Sequence, residues 1–200
     1  MTINKGFVFA YHNVSNKLNI GLNNIYLKRF KKHIRYLNQI NNNNIEVCFD
    51  DAYADIYLNT FDYLKKTNLK KTIFVIGDYI NKYNSWDINF IINKKMHVSE
   101  DHIINMDKNN WNIGSHGLTH TPLNKLTANE VIYELEKSKD ILERIINKPV
   151  DSFTPPFGIL YPKHIKSLTK VGYKYIYLNG KYIKHLDKLD GNHMTVKKRH

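Results

Sequence analysis

Three observations predict an α/β fold on a parallel sheet, either an open doubly wound sheet or a closed barrel. Short runs rich in β-formers alternate with stretches whose apolar residues recur at helical spacing, and the alternation repeats along most of the chain. Polar or conformationally special clusters follow the ends of several of the predicted strands. The first strand is FVFAY (7–11), followed by a helix in which Leu27, Phe30, Ile34 and Leu37 share one face, and then by IEVCF (45–49). Behind Asp51, the residues Ile56, Tyr57, Phe61 and Leu64 form a second helical stripe, and TIFVI (72–76) is a third strand ended by Gly77. WNIG (111–114) reads as a strand, and Thr127 followed by Glu130 forms a capping box for a long helix carrying Val131, Leu135, Ile141, Leu142 and Ile145. Pro149 stops that helix. A strand near 151–154, a short helix around 163–171 and the run YKYIYL (173–178) complete the pattern. The less periodic segment 78–106 predicts loops and short helices inserted near a site. No linker or internal repeat interrupts the series, so residues 1–200 read as one domain.

Composition narrows the class of protein. A hydrophobic content of 42% over 200 residues is enough to bury a core. The net charge of +12 is spread along the chain, with concentrations at KRFKKHIR (28–35) and KKRH (197–200). A solvated exterior is the simplest reading of such runs, because Lys, Asn and Ile are abundant everywhere; NNNN (41–44) reads as a solvated loop. The basic helix still leaves room for peripheral contact with a membrane or with a phosphate-bearing substrate. The cationic residues form no recognisable nucleic-acid motif, so nucleic acid is not an expected partner. No apolar stretch approaches the roughly 18 residues of a membrane span. The single cysteine, Cys48, cannot form an internal disulfide and reads as a small buried hydrophobe. The opening MTINKGFVFAYHNV lacks the pattern of a secretory leader, which gives a cytoplasmic expectation.

In both parallel architectures ligands sit at the carboxyl ends of the strands. Asp50 and Asp51 in FDDAY, SHGLTH (115–120) and TPPFG (154–158) each follow a predicted strand, so all should meet on one rim. His116 and His120 are spaced so that two imidazoles can grip one divalent ion, and a carboxylate from elsewhere completes a two-His, one-carboxylate set with open positions. Two adjacent carboxylates can both stay ionised if a cation takes one of them, and the other is then free to act as a general base. An iron oxygenase with the same ligand types is disfavoured, because such sites place a carboxylate two residues after the first histidine, where this chain has Leu118.

These residues resemble the polysaccharide deacetylase family, carbohydrate esterases with a chitooligosaccharide-deacetylase homology domain. FDDAY resembles the family's Thr-Phe-Asp-Asp-Gly motif, and SHGLTH resembles its His-Ser/Thr-x-x-His motif. YHNV, LTANEVIYELEKSKDILE, PPFG and VGYKY support the likeness, which runs from about Tyr11 to Leu178. The resemblance implies a distorted (β/α) barrel with fewer than eight regular units and parallel strands. It implies Asp50 as catalytic base, Asp51, His116 and His120 as ligands of one divalent metal ion, with zinc the usual choice, and Pro156, Phe157 and Gly158 at the substrate, the Phe157 N–H facing the oxyanion. The implied reaction is removal of an N-acetyl or related acyl group from an amino sugar in a polymeric, oligomeric, lipid-linked or nucleotide-linked saccharide.

Departures from the family pattern motivate a second expectation, a catalytically impaired carbohydrate-binding protein. Thr154 stands where many members have Arg, so the ion pair that orients the base is expected to be missing. Gly117 replaces a Ser or Thr, losing a loop-bracing hydroxyl, and Ala52 replaces a glycine, which would be strained if φ there is positive. The late Leu-x-His motif that supplies the general acid has no clean counterpart, and His193 in DGNHMTV is the candidate. His12 in YHNV is expected to line the pocket or to fix its loop. Trp111 is expected in the core, Trp86 either stacks on sugar or packs, and His97 and His102 are expected to face solvent.

Overall fold

A computed structural model describes residues 2–16, 24–40, 44–85, 94–179 and 195–199. Their elements run β1 (Thr2–Tyr11), β2 (Asn13–Ser15), β3 (Asn24–Tyr26), α1 (Leu27–Gln39), β4 (Ile45–Phe49), α2 (Ala54–Leu64), β5 (Lys70–Val75), α3 (Glu100–Lys108), β6 (Trp111–Ser115), α4 (Ala128–Ile146), β7 (Ser152–Phe153), α5 (Pro162–Val171), β8 (Tyr175–Asn179) and β9 (Thr195–Arg199). Seven strands close a barrel in the order β1-β4-β5-β6-β7-β8-β9, and β9 pairs back onto β1. Every barrel pairing is parallel. The distorted barrel of fewer than eight units is therefore the architecture, and the open sheet is not. Strands β2 and β3 form a separate two-stranded parallel sheet beside it.

Alternation along each strand separates two environments. In β4, Ile45, Val47 and Phe49 pack outward into the main core with Phe30, Ile34 and Leu37 of α1 and Ile56, Phe61 and Leu64 of α2. Glu46 and Cys48 face the barrel interior, where Cys48 packs with Val8, Phe74 and Tyr177. Gly114 of β6 lets Phe74 fill this space, since a Cβ there would stand 2.5 Å from the Phe74 ring. Below, the Glu46 carboxylate accepts hydrogen bonds from Thr72 Oγ1 (2.5 Å), Tyr177 OH (2.6 Å) and Lys197 Nζ (2.8 Å). Cys48 and Trp111 are buried, as expected from the sequence.

The capping box of α4 forms as its sequence predicts: the Glu130 N–H donates to Thr127 Oγ1 at 3.4 Å, and the Thr127 N–H donates to Glu130 Oε2 at 2.8 Å. The helix ends before Pro149, with Asn147 in the left-handed C-cap. On α1, Lys28, Arg29, Lys32 and Arg35 are exposed, the solvated exterior that the basic run suggested. Three strands were not anticipated. Strands β2 and β3 are only three residues long, and β9 occupies TVKKR, a run read in the sequence as a basic concentration.

Candidate active site

The rim at the carboxyl ends of the strands is assembled by short extensions of the ladder. The Asp50 N–H donates to the Tyr11 carbonyl, that of His116 to Val75 and that of Thr154 to Ser115, at 2.8–3.0 Å. Each residue therefore sits one step beyond a strand end, and β4, β6 and β7 deliver their side chains to one place. Asp51 and Ala52 then turn back through left-handed backbone, at φ +64° and +51°. Ala52 thus occupies the conformation that the glycine of the family motif tolerates without strain.

Asp51, His116 and His120 converge. Asp51 Oδ1 lies 3.4 Å from Nε2 of each imidazole, and one ligand atom from each of the three residues falls within 4.8 Å of the others. His116 Nδ1 is 2.8 Å from the Thr154 carbonyl, which can only accept, so Nδ1 carries a proton and Nε2 is the ring atom turned to Asp51. All three residues are buried. A carboxylate oxygen and imidazole nitrogens directed at one point match the donor set of a divalent zinc-type ion. Burial pushes the Asp51 carboxyl up, but hydrogen bonding from His116 and then His120 more than offsets it and holds the group below the usual carboxylate range. Burial lowers His120, while His116, also lowered by burial, is carried above its ordinary value by Asp51 and Asp50.

Asp50 is held separately. Its Oδ2 accepts from Arg199 Nη2 at 2.5 Å and lies 3.7 Å from His12 Nε2. Its Oδ1 is buried and has no hydrogen-bond partner among the described residues. Burial raises the Asp50 carboxyl, and Arg199, His12 and His116 together bring it below its ordinary value. The expectation that the base lacks an ion pair is thereby corrected. Thr154 does replace the motif arginine, but Arg199, from the barrel-closing strand, reaches the same carboxylate and donates through Nη1 to Thr154 Oγ1 at 2.7 Å. Thr154 Oγ1 in turn donates to the Tyr177 carbonyl at 3.0 Å. Arg199 is one residue the sequence reading missed; its signal was alternation in TVKKR, which places Lys197 and Arg199 on the same strand face.

The histidine loop is braced from α4. Glu134 Oε2 accepts the N–H groups of Leu118 (2.9 Å) and Thr119 (3.0 Å), and Oε1 accepts from Thr119 Oγ1 (2.6 Å). Gly117 has φ +83°, and its N–H donates to Ser115 Oγ at 3.1 Å, so left-handed backbone explains the glycine where the family has a hydroxyl residue. Pro156 is buried at the rim, while Phe157 is 57% exposed with its ring 4.7 Å from that of His120. Phe157 and Gly158 both have positive φ. His12 sits beside Asp50, whereas His193 and Trp86 lie outside the described residues.

Two expectations about histidines are corrected. His97 is buried, with Nδ1 2.6 Å from the Asp51 carbonyl, and burial pushes it down to about 4. His102 is half-buried, closes the capping box of α3 with Ser99 and stacks on Tyr57 at 4.1 Å.

Comparison with known proteins agrees with this geometry. The family model described as polysaccharide deacetylase matches residues 38–176, more than half of the chain. YxkH of Bacillus subtilis (strain 168) is 29% identical over 128 residues, covering 64% of this chain and 42% of that protein. The poly-β-1,6-N-acetyl-D-glucosamine N-deacetylase of Staphylococcus aureus (strain MRSA252) is 25% identical over 142 residues, covering 64% and 45%. The chain thus spans under half the length of these curated relatives. Among solved structures, the polysaccharide deacetylase BC0361 of Bacillus cereus superposes with a TM-score of 0.75 at 21% identity, covering 100% of this chain and 65% of that one. The Streptococcus pyogenes deacetylase PplD, in complex with acetate, gives 0.74 at 15% identity, covering 98% and 92%. These two share the fold, and the family match over 38–176 carries the assignment: the chain belongs to the polysaccharide deacetylase family.

Proposed function

We propose that the chain is a metal-dependent carbohydrate N-deacetylase that hydrolyses an acyl amide on an amino sugar. The observation that carries this reading is the division of labour between neighbours: Asp51 meets two imidazoles, while Asp50 is turned to Arg199 with one carboxylate oxygen left open. Asp51, His116 and His120 would hold the ion, zinc by its donor set, which supplies Lewis acidity and a water acidified toward neutral pH. Asp50 Oδ1 accepts the proton of the attacking water, and Arg199 on Oδ2 keeps the carboxylate ionised and oriented for that step. The Phe157 N–H, on left-handed backbone beside His120, is the proposed donor to the oxyanion. His12, 3.7 Å from the Asp50 carboxylate, and Pro156 and Gly158, which flank Phe157 in one turn, are the proposed substrate-side residues. His193 is the candidate acid for the departing amine on family resemblance alone.

The competing reading, a carbohydrate-binding protein without turnover, drew on the missing motif arginine and on the missing late Leu-x-His motif; Arg199 answers the first ground, and the second falls on His193, outside the described residues. The name of the Staphylococcus aureus relative makes poly-β-1,6-N-acetyl-D-glucosamine the first substrate to try, followed by lipid-linked and nucleotide-linked amino sugars. The test is acetate release by zinc-loaded protein. Asp50→Asn should lower the rate by at least about 100-fold while metal content is retained, and His116→Ala should lose both metal and turnover. Metal binding with no turnover of any acylated sugar would favour the binding protein, and hydrolysis surviving in His116→Ala without metal would require another mechanism.

A further inference from the structure

The turn that aims Asp51 runs against the preference of its own residues. Asp51 and Ala52 are both left-handed, at φ +64° and +51°. For an alanine that conformation costs about 1–2 kcal/mol, and only surroundings that over-determine the backbone keep it there. Those surroundings come from residues 96–98. The Val98 N–H donates to the Ala52 carbonyl at 2.9 Å, and the Ala54 N–H donates to the Met96 carbonyl at 2.8 Å. Between them His97 Nδ1 stands 2.6 Å from the Asp51 carbonyl, and since a carbonyl only accepts, Nδ1 is the donor. The ring is only 2% exposed and lies between Tyr53 and Tyr79, with centroids 4.8 and 5.2 Å away. The His97 backbone N–H donates to the Lys82 carbonyl at 2.9 Å. A histidine outside every family motif quoted above therefore grips the peptide of the residue placed at the centre of the cation site.

We infer that His97 is a positioning residue for the cation site: its Nδ1–H···O=C bond to Asp51 fixes the left-handed turn that keeps Oδ1 within reach of both imidazoles. The inference rests on the reading of Asp51, His116 and His120 as metal ligands. It also accounts for the tolerance of alanine in a glycine position, because the clamp supplies from outside the conformational bias that glycine supplies from within.

The test is calorimetric titration of zinc into metal-free protein, with melting temperatures recorded without metal. His97→Phe keeps a ring between the tyrosines and removes the donor; His97→Asn keeps an amide N–H near the position of Nδ1. Outer hydrogen bonds of this kind typically govern metal affinity by about 10–100-fold. H97F should lose affinity in that range, H97N should stay within about threefold of the unsubstituted protein, and Ala52→Gly added to H97F should recover part of the loss. If H97F does not fold, H97Q, whose amide reaches toward the Nε2 position, takes its place with the same expected loss. Unchanged affinity in H97F, or equal losses in H97F and H97N at unchanged melting temperature, would overturn the inference. Failure of the unsubstituted protein to bind zinc would instead remove the cation site on which it rests.

Discussion

Adjacent buried carboxylates repel each other, so both stay ionised only when each has its own source of positive charge. Asp51 has the two imidazoles and the ion they would share; Asp50 has Arg199. The guanidinium stabilises the ionised carboxylate and so lowers the proton affinity of Asp50. Removing it raises that affinity, so Asp50, the proposed base, becomes protonated at a pH where it was previously free. Arg199→Met should therefore move the acid limb of kcat/KM upward by about one to three pH units, with activity partly recovered at higher pH. A lower kcat with an unmoved acid limb would mean that Arg199 only holds the barrel together. At this scale the sequence was readable where chemistry is local. Asp50, Asp51, His116 and His120 announce themselves by adjacency and spacing. Arg199 does not, because its partner is 149 positions away and it sits in a run of like charges. His97 was hidden for a related reason, since its bond is to a backbone carbonyl 46 positions earlier, which leaves no side-chain signature.

The loop between β6 and α4 holds Gly117 and His120 in left-handed backbone; the N–H groups of Gly77 and Asp78 donate to its Gly117 and Leu118 carbonyls, and one carboxylate braces it from α4. Glu134 accepts three hydrogen bonds from Leu118 and Thr119. Hydrogen bonds to a charged group contribute about 1.5–3 kcal/mol each, less where water can replace them. Glu134→Ala should cost about 3 kcal/mol in the metal-free protein, read as a fall in the urea midpoint without a change in slope. An unchanged midpoint would show that the loop holds itself. The α4 helix was legible in full, because its capping box and apolar stripe are local signals. The role of Glu134 was not, although its place among the buried positions Val131, Leu135, Ser138 and Leu142 was a usable hint. Helical glutamates usually face water, and only the packed position of the loop shows that this one does not.

Closure of the barrel brings β4 and β9 within reach of each other across β1. Two ion pairs then bridge them, Glu46 to Lys197 low in the interior and Asp50 to Arg199 at the rim. Because side chains alternate along a strand, a slip of β9 by one residue would turn both cations outward. The lower pair thus sets the register that delivers the upper one. Lys197→Met should destabilise the protein by about 3–5 kcal/mol, the usual effect of stranding a buried charge, and Glu46→Gln added to it should recover part of that loss. Additive losses in the double variant would show that the pair does not act as a unit. The α/β alternation and parallel sheet were plain in the sequence. The closing strand was not, because its interior face carries cations and Val196 is its one buried apolar residue. A run such as TVKKR reads as a solvated tail until the acids that neutralise it are located.

The central claim is that one divalent ion sits between Asp51, His116 and His120 while Asp50 stays off the metal. Diffraction from zinc-soaked crystals, recorded on both sides of the zinc absorption edge, tests it most directly. The expected map has a single anomalous peak about 2.0–2.2 Å from one oxygen of Asp51 and from Nε2 of each histidine, with Asp50 still on Arg199. A peak bonded to Asp50, or none at this rim in protein that hydrolyses its substrate, would contradict the account.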